Sequence, residues 1–90
     1  MSIDIPEEIR RIVEEITINK LSDIKGKTET LSFVDSVIEE LRKRGGINLN
    51  DDLEAMVRPY IVDILWTLRK RGTVSMDDDL LHFSVTKQGS

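Results

Sequence analysis

Apolar residues at helical spacing mark the first element of the chain. The segment begins at Pro6, a residue that suits the first turn of a helix. Its apolar positions follow the i, i+3, i+4, i+7 rule and are Ile9, Ile12, Val13 and Ile16. This pattern predicts a helix over about 6–17. Residues 18–24 fit the pattern less well, and they either extend this helix or leave it.

A second helix is predicted over about 31–44. Its apolar stripe is Val34, Val37, Ile38 and Leu41. Residues 25–30, KGKTET, separate the two helices and have the character of a polar loop. The bases of the last turn suit the negative end of a helix dipole, and the following glycines end the helix. Ile47 and Leu49 then alternate with polar residues, which predicts a short strand at 46–50.

Proline divides the next segment into two predicted helices. Asp51 with Glu54 is a capping signal for a short helix over 51–57. Pro59 disfavours helical backbone at the residue before it, so a new helix is predicted over 59–71. The apolar face of that helix is Ile61, Ile64, Leu65 and Leu68, and its polar face is Tyr60, Asp63, Thr67 and Lys70.

The C-terminal segment alternates with a period of two. Val74 and Met76 precede the acidic run Asp77-Asp78-Asp79, and the apolar positions that follow it are Leu81, Phe83 and Val85. This is the pattern of a β-hairpin with an acidic turn. The expected fold class is therefore mainly α with a small β-hairpin.

Composition limits the chemistry that is open to this chain. Its 90 residues suffice for one small domain, and the net charge of −4 disfavours non-specific binding to nucleic acid or anionic membranes. The absence of cysteine excludes disulfides and thiolate metal sites. With one histidine and no catalytic motif, we expect neither an enzyme nor a cofactor. The aspartates at 77–79 also suit Ca²⁺ or Mg²⁺, but no series of further ligands accompanies them, so no metal site is predicted.

Hydropathy gives an expectation for location. No apolar run approaches the roughly 20 residues of a membrane span. The first residues, MSIDIPEEIRR, lack the basic start and apolar stretch of a signal peptide. We therefore expect no membrane contact and a cytoplasmic protein.

The segments INLNDDLEAMVRPYIVDILWTLRKRGTVSM and LLHFSVTKQG together resemble a winged helix-turn-helix domain. The matching parts are LRKRG (68–72), TVSM (73–76) and TKQG (86–89). The likeness is to small prokaryotic regulators of the MarR or PadR kind. It implies a winged helix domain over 31–90, and residues 1–24 are then an added amphipathic N-terminal helix.

This resemblance implies that 59–71 is a recognition helix lying in the major groove of double-stranded DNA. The expected function is that of a small DNA-binding transcriptional regulator. The expected DNA contacts are Arg58, Tyr60, Asp63, Thr67, Arg69, Lys70 and Arg71, with the arginines placed to reach phosphates. A second interpretation of the bases is that they offset the helix dipole without any DNA.

Regulators of this kind bind twofold sites, so a homodimer is expected. The N-terminal helix is the natural dimer element, with Ile9, Val13 and Ile16 as its seam.

A second hypothesis is a winged-helix module that binds protein and not DNA. The acidic turn at 77–79 supports it, because carboxylates repel phosphates. Tyr60 and Trp66 are then the contact residues, as aromatic anchors of interfaces often are. The alternative for Trp66 is that it packs beneath the wing or the N-terminal helix.

Overall fold

A computed structural model describes residues 5–44, 49–79 and 81–86 of the chain. Within these ranges the protein is mainly helical, with a small antiparallel sheet, as the sequence predicts. The elements in chain order are α1 (Glu7–Asp23), β1 (Lys27–Glu29), α2 (Thr30–Lys43), α3 (Asp51–Lys70), β2 (Val74–Met76) and β3 (His82–Val85).

The three helices and the sheet share one hydrophobic core. Its fully buried side chains come from every helix and from two of the strands: Val13, Ile16, Val34, Val37, Leu41, Val57, Ile61, Leu65, Val74 and Phe83. The rings of Phe33 and Phe83 meet edge to face, with centroids 5.3 Å apart. α1 continues through the ambiguous residues to Asp23 and packs on both α2 and α3. It is therefore an integral part of this core.

The prediction of two helices separated at Pro59 is wrong, because α3 is one continuous helix. Val57, Ile61 and Leu65 follow each other at i, i+4 spacing across the proline, and all three are completely buried. Keeping them on one face of a single helix outweighs the backbone hydrogen bond that proline cannot donate. The helix starts one residue after Asn50, whose side-chain oxygen accepts the Leu53 amide at 2.8 Å.

The prediction of a polar loop over 25–30 is also wrong, because β1 lies within it. β1 pairs antiparallel with β3, and β3 also pairs with β2, so the strand order is β1-β3-β2. Gly26 has a φ of 88°, a backbone conformation that suits glycine and turns the chain from α1 into β1. The hairpin predicted from the alternating segment is confirmed, with Val74 opposite Val85 and Met76 opposite Phe83.

Two of the remaining sequence predictions fall largely on residues beyond the ends of the described ranges. Most of the short strand predicted at 46–50 lies outside the described residues, as does most of the TKQG match at 86–89. None of the described helices combines the length and the apolar character that crossing a membrane requires.

The continuity of α3 predicts that replacing Pro59 stabilises the protein. Pro59 is exposed, so Pro59→Ala removes no buried contact and restores the amide that can bond to the Ala55 carbonyl. We expect the free energy of unfolding to rise by about 1–3 kcal/mol in urea denaturation. If the helix instead broke at Arg58, the proline would suit the start of the second helix and the substitution would leave stability unchanged or lower it.

Candidate functional site

Arg58, predicted to contact a phosphate, is engaged within the chain. Its guanidinium lies 2.8 Å from the Asp35 carboxylate on α2 and 3.6 Å from the Glu54 carboxylate one turn earlier on α3. Glu54 also pairs with Arg42 near the end of α2. These four side chains form a charge network that joins α2 to α3, so contact with a phosphate requires Arg58 to leave two carboxylates.

Tyr60, predicted to face base edges, faces α1. Its hydroxyl donates a hydrogen bond to the Glu14 carboxylate at 2.6 Å. Partial burial, then this hydrogen bond, then the negative charge of Glu14 together raise the pKa of Tyr60 to about 12. The side chain therefore holds α1 and α3 together at their polar margin.

The other predicted DNA contacts lie on the surface of α3. Asp63, Thr67, Arg69, Lys70 and Arg71 are all exposed. Within the described ranges, none of the three bases takes part in an ion pair. They are thus available to a partner in a way that Arg58 is not.

Trp66 lies beside these bases on the side of α3 away from the core. It is half-buried, but it does not belong to the described set of side chains that pack against the core. The guanidinium carbon of Arg69 lies 5.1 Å from the centre of the Trp66 ring, which is cation–π geometry. Arg69 therefore covers one face of the Trp66 ring.

We call the solvent-facing side of α3 the outer face. It comprises the residues whose direction from the helix axis lies within about 60° of the direction opposite Val57, Ile61 and Leu65. These residues are Asp52, Ala55, Met56, Pro59, Asp63, Trp66, Thr67 and Lys70. Charge is divided along the helix, because the first turn holds Asp51, Asp52 and Glu54 while the last turn holds Arg69 and Lys70. The separate helix predicted over 51–57 divides this face at Pro59, so the first half of the face is not evident from the sequence.

A shallow hollow lies along the first half of the outer face. We call it the Pro59 hollow; its volume is about 400 Å³ and its lining residues are Ile5, Arg10, Ala55, Met56, Pro59, Tyr60 and Asp63. Five of these seven side chains are largely apolar, and the other two, Arg10 and Asp63, are charged. The hollow can therefore accommodate an apolar side chain.

The acidic hairpin turn is partly neutralised by its neighbours. Asp77 pairs with Lys27 of β1 at 2.6 Å, an interaction that raises the pKa of Lys27. One oxygen of Asp79 accepts the Leu81 amide at 2.8 Å and the other lies 3.2 Å from His82 Nδ1. These bonds, the backbone one first, lower the pKa of Asp79. Asp78 stays exposed.

Asp77, Asp79 and His82 also bring three possible metal-ligand atoms within 4.8 Å of one another. Because His82 lies on the returning strand, its position beside the two aspartates is not evident from the sequence. Each of the three side chains already serves an interaction within the sheet or its turn. The arrangement is explained by the stability of the hairpin.

The three residues of the predicted dimer seam on α1 differ in how deeply they are buried. Val13 and Ile16 are 0% and 2% exposed and pack inside the single chain, whereas Ile9 is only partly buried. Val13 and Ile16 are therefore unavailable to a second protomer, because the amphipathic face of α1 is used to complete the protein's own core.

Comparison with protein-family models, curated proteins and solved structures finds no match to this chain.

The Tyr60–Glu14 contact predicts an unusual titration. Tyr60 is the sole tyrosine, so tyrosinate absorbance reports it alone. We expect a midpoint near pH 12 in the folded protein, and a lower midpoint in Glu14→Gln, with Glu15→Gln as the matched control. Because the folded pKa exceeds the unfolded value of about 10, this contact stabilises the fold below pH 10 and is lost as the pH rises toward 12. A midpoint near 10 while circular dichroism shows intact helices would contradict the contact.

Proposed function

We propose that this chain is a winged helix-turn-helix domain that acts as a protein-interaction module and binds its partner through the outer face of α3. The order of elements supports the fold assignment, because a pair of helices, α2 and α3, is followed directly by the hairpin β2–β3. The third strand, β1, ties this hairpin to the start of α2. The outer face of α3 is thus held on a rigid support.

The strongest observation for a protein partner is the Trp66–Arg69 pair. A half-buried tryptophan that stacks with an arginine presents two of the residue types enriched at the energetic centres of protein interfaces. Two to three turns earlier on the same face, Met56 and Pro59 form an apolar surface at the Pro59 hollow. The combination of an aromatic anchor, an apolar strip and charged ends is typical of a protein contact surface.

The charge distribution of α3 argues against groove binding. Helix-turn-helix proteins contact base edges with residues near the N-terminus of the recognition helix. In α3 that end holds three carboxylates, of which Asp51 and Asp52 are exposed and outside the described ion pairs. At 20 residues α3 is about 30 Å long, so its basic end lies five turns away from this acidic end. A duplex along α3 would bring phosphates against Asp51 and Asp52.

DNA binding is the second candidate, and one observation favours it. Arg69, Lys70 and Arg71 are exposed and take no part in the described ion pairs, so they remain free to contact phosphates. In this case the contact would be confined to the last turn of α3 and would consist of phosphate contacts without base readout.

Titration of a fluorescently labelled duplex with the protein at low and moderate salt separates the two candidates. We expect no salt-sensitive rise in anisotropy at micromolar protein. Binding that falls steeply with salt and is lost in Lys70→Glu, but kept in the matched loop variant Lys25→Glu, would establish DNA binding and overturn the proposal.

A further inference from the structure

The outer face of α3 carries opposite charges at its two ends. Asp52 and Lys70 are 18 residues apart, which is five helical turns, so they lie on one line along the helix. Ala55, Met56 and Pro59 lie on one side of the midpoint of that line, at position 61, and Asp63, Trp66 and Thr67 lie on the other. A helix turned end for end onto this face therefore meets a complementary residue at each end.

We infer that the protein partner of this face is a second copy of the same chain, with its α3 packed antiparallel on the first; this inference rests on the proposed function. Twofold symmetry brings Asp52 of each copy opposite Lys70 of the other, which forms two equivalent ion pairs at the two ends of the interface. Such an isologous contact needs only one patch that is complementary to itself. A parallel arrangement would instead place aspartate against aspartate and lysine against lysine.

The apolar middle of the face fits the same arrangement. Trp66 of one copy comes to the level of Met56 of the other and lies over Ala55 and Pro59, at the Pro59 hollow, whose volume of about 400 Å³ accommodates part of an indole ring. Symmetry repeats the contact, so that two tryptophans fill two hollows. Asp63 of one copy comes next to Pro59 of the other, at the hollow that Arg10 also lines.

The size of the face sets the expected affinity. One helix face buries less than the roughly 800 Å² per partner of a standard interface, so a dissociation constant in the micromolar range is expected. The dimer should therefore form and dissociate within an accessible concentration range. Trp66 is the sole tryptophan, so its fluorescence follows its burial directly.

Charge exchange at the two ends tests the arrangement by sedimentation from about 1 to 500 µM protein. We expect Asp52→Lys and Lys70→Asp each to raise the dissociation constant at least about tenfold, because each places like charges at both ends. Mixed in equal amounts, the two variants should form a heterodimer of near wild-type affinity, since both ends are then complementary. Lys25→Asp, the matched loop variant, should dimerise as the wild type does.

Dilution of the wild-type dimer should shift the Trp66 emission to longer wavelength over the same concentration range, and thermal unfolding confirms that each variant is folded. A wild-type monomer at all concentrations would overturn the inference, and so would a dimer that neither single exchange weakens. If the wild type is monomeric and the duplex titration also shows no DNA binding, the proposed function stands, with another protein as the partner. Salt-sensitive DNA binding would overturn the proposed function itself.

Discussion

The burial of three side chains on α3 determines the rest of the structure. Val57, Ile61 and Leu65 are wholly removed from water, and each contributes about 1.5–3 kcal/mol of transfer free energy. Their i, i+4 spacing requires one uninterrupted helix, which is why the chain accepts Pro59 inside it. The same three side chains fix the rotation of α3, so the residues opposite them form a surface that is 20 residues long and continuous.

The rotation of α3 about its axis also decides which of its polar and charged side chains contact other helices and which face solvent. On one flank of α3, Arg58 is close enough to Asp35 to join the two helices, and on the other flank Tyr60 reaches Glu14 on α1. Both groups lie at helix–helix margins and serve the fold. Opposite the core, the favourable placement of acids at the start and bases at the end of a helix also creates a surface with opposite charges at its two ends. The charge pattern that stabilises a single α3 is therefore also complementary to the charge pattern of a second α3 packed antiparallel on it.

The sequence predicted correctly those elements whose apolar spacing is set within one segment of the chain. The apolar spacing located α2, the core positions of α1 and the β2–β3 hairpin. It missed β1, whose polar residues pair with a strand far along the chain, because alternation is lost where a short edge strand is mostly exposed. It also divided α3 at Pro59, because the local preference of proline does not take into account the burial of Val57, Ile61 and Leu65, which overrides it. The stripe on α1 was interpreted as a dimer seam, whereas two of its residues are buried within the chain, since an amphipathic stripe shows that a face is buried but not what covers it.

Chemical cross-linking tests the antiparallel dimer most directly. The chain has no cysteine, so single cysteines introduced by Asp52→Cys or Lys70→Cys are the sole sites for a short bismaleimide linker. Within an antiparallel pair, identical positions at these ends lie about 27 Å apart along the helices, while positions 52 and 70 of different copies are neighbours. We predict that the mixture of the two variants is linked and that neither variant alone is. Linkage of each variant to itself, with none in the mixture beyond that, would contradict the arrangement.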